Sequence, residues 1–285
     1  MTGPPVPSQN VPAVWVDTDV ALGALRGDVD DGFALAALLG AARLRRIVFL
    51  GISTVTGNAA ADVAEDCARA LVEAAGLFVP IVRGGGRSGA TAAAGEAIAA
   101  LPAGTRLLAI GPLSNVAAAL RADAHAAARL ALRVVGGNIS SRGVFPPVWP
   151  HEFNLARDRP AARAVLEAPW RDVALYPLDV VKRLRCDARR LEEISSRGPV
   201  GGFLARASRR WLARSRWLQG AGGFPVWDLP PALEAAGCLD VSIEPRRFPG
   251  PQRAFSGIPD PVRAAVAFDP AKAWSSFDDL LSPLS

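Results

Sequence analysis

The residues best suited to chemistry lie near the start of the chain. Asp17-Thr18-Asp19 is followed, after a short stretch, by Asp28-Val29-Asp30-Asp31. Five carboxylates this close in sequence repel one another unless a cation or bound hydroxyl groups offset their charge. Hard oxygen ligands of this kind suit Mg2+ and Ca2+, and Ca2+ accepts about six to eight of them, backbone carbonyls and waters included. The same pattern is compatible with an acidic turn ahead of a helix N-terminus, where the helix dipole favours Asp. A phosphate site calls for a glycine-rich loop feeding a helix, often with a lysine. Gly84-Gly85-Gly86 comes nearest but has neither the spacing nor a lysine close by.

The elements that must position these carboxylates are legible as short apolar runs. Residues 14–16, 47–52, 79–82, 107–110, 132–135 and 173–178 are such runs, each bounded by Gly, Asp or Pro. Helical patterns lie between them: an Ala/Leu-rich stretch over 31–39, another over 60–75, and a short one over 116–120 that Ser114 is placed to cap. Continuous apolar strands alternating with helices predict an α/β fold with an open, mostly parallel sheet covered on both faces, Rossmann-like in its layering. From residue 185 onward the pattern turns mainly helical. Ligands of such sheets bind in the crevice outside the carboxyl ends of the strands. The residues at those ends are Asp17, Asp19, Asn58, Asn138 and Asp179, which are acidic or amide-bearing rather than basic.

Composition narrows the class. The chain has 285 residues, half of them hydrophobic and 21% charged, which excludes a disordered, collagen-like or disulfide-scaffold protein. Residues 11–285 read as one domain and 1–10 as a flexible tail without signal-peptide character. The net charge is +5, carried almost wholly by arginine. Its one dense cluster, Arg206, Arg209, Arg210, Arg214 and Arg216, falls at the spacing of a solvated helix face, with Phe203, Ala207 and Trp211 on the adjacent stripe. Neither a nucleic-acid surface nor a membrane span is expected. Three widely spaced cysteines (Cys67, Cys186, Cys238) lie in no metal-ligand pattern, so free thiols and a cytoplasmic location are the expectation.

Taken in order along the chain, the motifs resemble those of the nucleoside hydrolases, calcium-dependent enzymes that split nucleosides into base and ribose. Asp17-Thr18-Asp19 with Asp30-Asp31 resembles their DxD…DD signature. The resemblance continues through 51–58 (Gly-Ile-Ser-Thr-Val-Thr-Gly-Asn), 110–115 (Ile-Gly-Pro-Leu-Ser-Asn), Gly136-Gly137, Glu152-Phe153-Asn154 with Asp158 beyond, Leu178-Asp179-Val180 and Val226-Trp227-Asp228. It implies a Ca2+ cofactor held by Asp19, Asp31, Asp228 and the backbone carbonyl of Ile110, with Asp19 also the catalytic base. By the same resemblance Asp30, Asn58 and Asn154 hold the ribose 2′- and 3′-hydroxyls, Glu152 reaches the 5′-hydroxyl, Asp17 stands behind the metal and Asp179 has a supporting role. Trp227 occurs at this place in the branch preferring inosine, adenosine and guanosine, where it stacks on the purine, and Phe153 matches another aromatic position beside the base. The partners implied are a small-molecule nucleoside and further copies of the chain, as a homodimer or homotetramer.

The sequence also departs from that pattern. Many members carry His directly before the last ligand Asp, as general acid; here Trp227 stands there, and the two histidines are His125, in an Ala-rich stretch, and His151, beside Glu152. Ten residues separate Asp19 from Asp30, where the family usually has three, so an insertion over 20–27 must loop out for both carboxylates to meet one ion. An Asn that many members place shortly before Glu-Phe-Asn is replaced by the region of Val144, Phe145, Pro146 and Pro147. Two other readings stay open: a relative that binds a nucleoside or other N-riboside without efficient turnover, and a haloacid-dehalogenase-like phosphatase, for which Lys182 is the one candidate lysine.

Overall fold

A computed structural model describes residues 11–24, 27–85, 92–140, 153–219, 222–249 and 258–284, with the side chains of 216–219 excepted. The six apolar runs become β1 (Ala13–Thr18), β2 (Val48–Thr54), β3 (Ile81–Arg83), β4 (Arg106–Ala109), β5 (Ala131–Val135) and β6 (Asp172–Tyr176). A two-stranded antiparallel ribbon follows, β7 (Arg185–Cys186) with β8 (Phe224–Pro225), and then β9 (Val241–Arg246) and β10 (Val262–Phe268). The main sheet runs β3-β2-β1-β4-β5-β6-β10-β9, parallel throughout except for the antiparallel β10–β9 pair. This is the expected doubly covered α/β fold.

The helices are α1 (Asp30–Arg43), α2 (Ala61–Ala74), α3 (Ala92–Ala99), α4 (Ser114–Ala122), α5 (Ala126–Arg129), α6 (Phe153–Arg157), α7 (Arg159–Glu167), α8 (Leu178–Val181), α9 (Ala188–Ser195), α10 (Gly198–Gln219), α11 (Leu229–Ala235) and α12 (Pro270–Leu281). Side chains of β1 alternate between two apolar layers, as the pleat requires. Val14 and Val16 join α1, α2, α11 and α12 on one face, while Trp15 joins α3, α4 and α7 on the other. Almost all of α1 is buried, which its run of Ala and Leu allows. Gly40 lets it close on α12, since a Cβ there would lie 2.0 Å from the Leu280 carbonyl oxygen.

The stretch after 185 is mainly helical, as expected, and also contributes β9 and β10 to the sheet. One expectation needs correction. Ser114 begins α4 but does not cap it; its hydroxyl donates instead to Asp158 (2.6 Å), which itself caps α7. The arginine cluster behaves as read: Arg206, Arg209, Arg210 and Arg214 are exposed on α10, and Phe203, Ala207 and Trp211 are half-buried against the core. Cys67, Cys186 and Cys238 are free. No helix among the described residues is long and apolar enough to cross a membrane.

One polar network ties α11 to the sheet. The buried Arg133 on β5 pairs with Glu234 of α11 at 3.1 Å and with Asp172 at 2.9 Å, while Arg106 of β4 donates to the Glu234 and Ala235 carbonyls. Removing one partner of a buried pair leaves the other charge uncompensated. Arg133→Ala is therefore expected to cost about 3–5 kcal/mol of stability, read by urea denaturation.

Candidate active site

β1 and α1 deliver the acidic cluster. Asp17 and Asp19 lie at the carboxyl end of β1, and Asp30 and Asp31 form the first turn of α1. Thr18 holds the two segments together: its hydroxyl donates to Asp31 Oδ1 and accepts the Val20 N–H at 3.2 Å. Asp228 arrives from a third segment. The β7–β8 ribbon places Trp227-Asp228 at the start of α11, and Asp228 makes no side-chain capping bond there. Its carboxylate instead meets the others, so that oxygens of Asp30, Asp31 and Asp228 lie within 4.8 Å of one another, all three residues buried.

The insertion does not separate these groups. Ala21 and Gly27 meet at its neck, where a Cβ on Gly27 would stand 2.2 Å from the Ala21 Cβ. Leu22 packs over Gly32 in the first turn of α1. Residues 25–26 lie outside the described residues.

Asp19 stands outside both the triad and the cleft lining, with Asp31 as its principal charged neighbour. Its Oδ2 accepts the Asn58 N–H at 2.6 Å, and Gly57 and Gly111 pack against its carboxylate. Its Oδ1 is buried with no protein donor. Asp17 lies deeper, accepting bonds from Ser53 (2.6 Å) and Asn115 (2.8 Å), with the Trp15 indole donating in turn to Ser53. The sequence reading assigns Ser53 no role beyond its place in the 51–58 motif, and Trp15 none beyond the 14–16 run. Their signal, a polar residue and a Trp facing the same side of adjacent strands, emerges only once the strands are paired.

Burial makes this the most perturbed region of the protein. It pushes the Asp17 and Asp31 carboxyls up to about 7, against the hydrogen bonds from Asn115 and from Thr18. Burial, reinforced by neighbouring carboxylates, holds Asp19, Asp30 and Asp228 well above the ordinary range; Asp31 is the main charge on Asp19 and on Asp228, and Asp228 the main one on Asp30. Buried carboxylates with no cation beside them are costly. Three converging hard-oxygen groups and an adjacent buried oxygen without a donor fit a hard divalent cation.

Above the triad opens a small cleft. Asp28, Asp30, Asp31 and Asp228 form its acidic side, and Asn58, Asn154 and Ile110 its polar wall. Trp227 and Phe153 supply aromatic surface, with Val135 and Leu178 between. Asn154 donates to the Ile110 carbonyl (2.8 Å) and to the Val135 carbonyl (3.2 Å). A carbonyl oxygen has two lone pairs, so Ile110 keeps one for another partner. Asp179 lies apart from the cleft lining and accepts the N–H groups of Ile139 (3.0 Å) and Ser140 (2.6 Å), fastening the turn after β5. Asp28 is visible in the acidic run, yet nothing in its spacing sets it in the cleft wall, where the fold places it.

Glu152, His151 and Val144 to Pro147 lie outside the described residues, as do Gly86 and the tail. His125 is exposed on the surface. The described lining contains no Lys or Arg, and Lys182 ends α8 away from it, so a phosphate here would face four carboxylates and no described cation.

A mostly parallel α/β sheet with a buried carboxylate triad gathered at the starts of α1 and α11 makes a cleft suited to a hard cation and a small polar ligand. More narrowly, the chain matches the inosine-uridine preferring nucleoside hydrolase family over residues 14–271 and belongs to it. Its members are enzymes acting on N-glycosyl bonds. Solved structures with the same fold include a plant nucleoside hydrolase (18% identity, TM-score 0.75, 95% of this chain and 99% of that one). Others are a purine-preferring ribonucleoside hydrolase from Gardnerella vaginalis (17%, 0.77, 95% and 98%) and an inosine-uridine preferring nucleoside hydrolase from Bacillus anthracis (16%, 0.69, 95% and 99%). No curated protein matches it in sequence.

Proposed function

We propose that this protein hydrolyses the N-glycosidic bond of purine ribonucleosides, releasing free base and ribose, with calcium as its metal. The observation that carries this reading is the Asp30–Asp31–Asp228 triad beneath a cleft walled by Trp227 and Phe153. Asp31, Asp228, Asp19 and the Ile110 carbonyl would hold the ion. When bound, calcium lowers the pKa of a coordinated water and anchors neighbouring hydroxyls.

The chain's own residues do the rest. Asp19 takes the proton of the attacking water at Oδ1, the oxygen for which the protein supplies no donor. Asp30, Asn58 and Asn154 grip the vicinal ribose hydroxyls, and the motif resemblance assigns the 5′-hydroxyl to Glu152. As the bond from C1′ to the base nitrogen breaks, its electron pair leaves with the base and positive charge develops on the sugar. The surrounding carboxylates stabilise that charge. Trp227, only 7% exposed, offers a face to a bicyclic base, and the half-exposed Phe153 covers it from outside. Water then stands bonded to C1′ as the new hydroxyl with its proton on Asp19, and the base, leaving with the electron pair, takes up a proton from solvent.

A binding-only relative would owe its lost turnover to the insertion and to the missing general acid; on the first count, none of the described insertion residues lines the cleft.

The test is chromatographic detection of free base from inosine, adenosine, guanosine, uridine and cytidine. Faster release from the three purine nucleosides is expected, and Trp227→Ala should lower purine kcat/KM by about tenfold, for the lost ring contact and its buried area. Equal rates for all five, unchanged in the variant, would remove the purine assignment.

A further inference from the structure

We propose that Asp28 is a positioning residue which fixes the Trp227 indole against the first turn of α1 and so sets the base-facing side of the cleft; this rests on the reading of Trp227 as the base platform. The cleft has two sources of functional groups that are far apart in the chain. One is the start of α1, bearing Asp30 and Asp31; the other is the segment after β8, bearing Trp227 and Asp228. Asp28 is where they are joined. Its carboxylate accepts the Val29 N–H at 2.7 Å, together with the Asp30 N–H and the Trp227 indole N–H. The first two bonds anchor it to the helix start, and the third reaches across to the other segment.

Three features make this a positioning role and not a fourth ligand. Asp28 lines the cleft, yet it stands outside the set of carboxylates whose oxygens converge within 4.8 Å. Its oxygens accept the N–H groups of Val29, Asp30 and Trp227 and also meet the Asp30 carboxyl, so they are already engaged within the protein. An indole has a single donor, so a nearly buried Trp whose N–H is committed to one acceptor loses the freedom to flip its ring. A ring held in one plane presents the same face to every incoming base, whereas a ring free to turn must be ordered at each binding event.

The insertion supplies the anchor. Gly27 is buried against Ala21, with a would-be Cβ 2.2 Å from the Ala21 Cβ and 3.0 Å from its carbonyl oxygen, so the loop closes one residue before Asp28. The loop that lengthens the Asp19–Asp30 spacing therefore ends by delivering a carboxylate to the cleft wall.

The experiment compares Asp28→Ala, Asp28→Asn, Trp227→Phe and the double variant Asp28→Ala/Trp227→Phe in the calcium-loaded full-length protein. The Trp227 indole N–H signal is identified in a 15N spectrum by its absence from Trp227→Phe. It should shift in Asp28→Ala and return toward its place in Asp28→Asn, which keeps an acceptor oxygen. KM for inosine should rise about five- to tenfold in Asp28→Ala, recover in Asp28→Asn, and change less than about twofold when Asp28→Ala is added to Trp227→Phe. An indole signal that does not move in Asp28→Ala, or an equal KM effect in both backgrounds, would overturn the proposal. An unchanged inosine KM in Trp227→Phe would instead sink the platform reading beneath it.

Discussion

Replacing Asp19 by Asn should lower kcat on a purine nucleoside by a factor of about 10²–10⁴, the usual contribution of a general base. The structural reason lies in the two oxygens of this carboxylate. Oδ2 is committed to the Asn58 N–H at 2.6 Å, and an amide oxygen can keep that bond. Oδ1 is buried without a protein donor, and in the variant that place is taken by an NH2 group that cannot accept a proton. The same substitution removes a negative charge beside Asp31, which is the principal charged neighbour acting on Asp19. Metal-free Asp19→Asn should therefore melt higher than metal-free wild type, even as it loses turnover. A variant that is both inactive and less stable would point to a packing role for Asp19, and one that keeps full activity would remove it from the mechanism.

Adding calcium should raise the melting temperature, and the gain should grow between pH 5 and pH 8. In the metal-free protein the Asp17 and Asp31 carboxyls are pushed up to about 7 and Asp28 to about 6, with burial the leading cause in each. In the unfolded chain an Asp titrates near about 3.9. Between those values the folded state binds more protons than the unfolded one, so metal-free stability falls as pH rises through this window. A cation binds the same carboxylates once they have lost their protons, and it offsets the repulsion that grows with pH. At a concentration about one hundred times its Kd the ion contributes about 2.7 kcal/mol. For a chain of this size that is about 4–5 °C in Tm. Scanning calorimetry with EDTA or calcium at several pH values reads it directly. A calcium shift that is the same at pH 5 and pH 8 would mean that the ion is held elsewhere.

Much of this architecture could be read in the chain because its signals are local. The first six strands are apolar runs closed by Gly, Asp or Pro, and α1 announces itself by two acidic residues ahead of an Ala/Leu stretch. The last two strands of the main sheet escaped for a physical reason. β9 is an edge strand with several exposed positions and a proline at 245, tolerated there because an edge need not donate every N–H. β10 pairs in parallel with β6 across nearly ninety residues of chain, through Ala264 and Leu175, and nothing in its own alternation names that partner. The site divides in the same way. Asp30, Asp31 and Asp228 could be named from ordered motifs, and the fold brings them together. Ser53, Asn115 and Thr18 act by bonds between strands, loops and a helix start, and such partners appear only when the register is known. Asp28 shows the limit most sharply. In sequence it is one more acid beside an insertion, while in space it receives an indole N–H from a residue two hundred positions away.

The most direct test of the account is inosine cleavage by EDTA-treated protein before and after calcium is restored. Release of hypoxanthine that is lost with EDTA, returns with calcium and stays lost in Asp228→Ala is the expected result. Full-rate release from the metal-stripped enzyme would contradict the carboxylate cage at the centre of the mechanism.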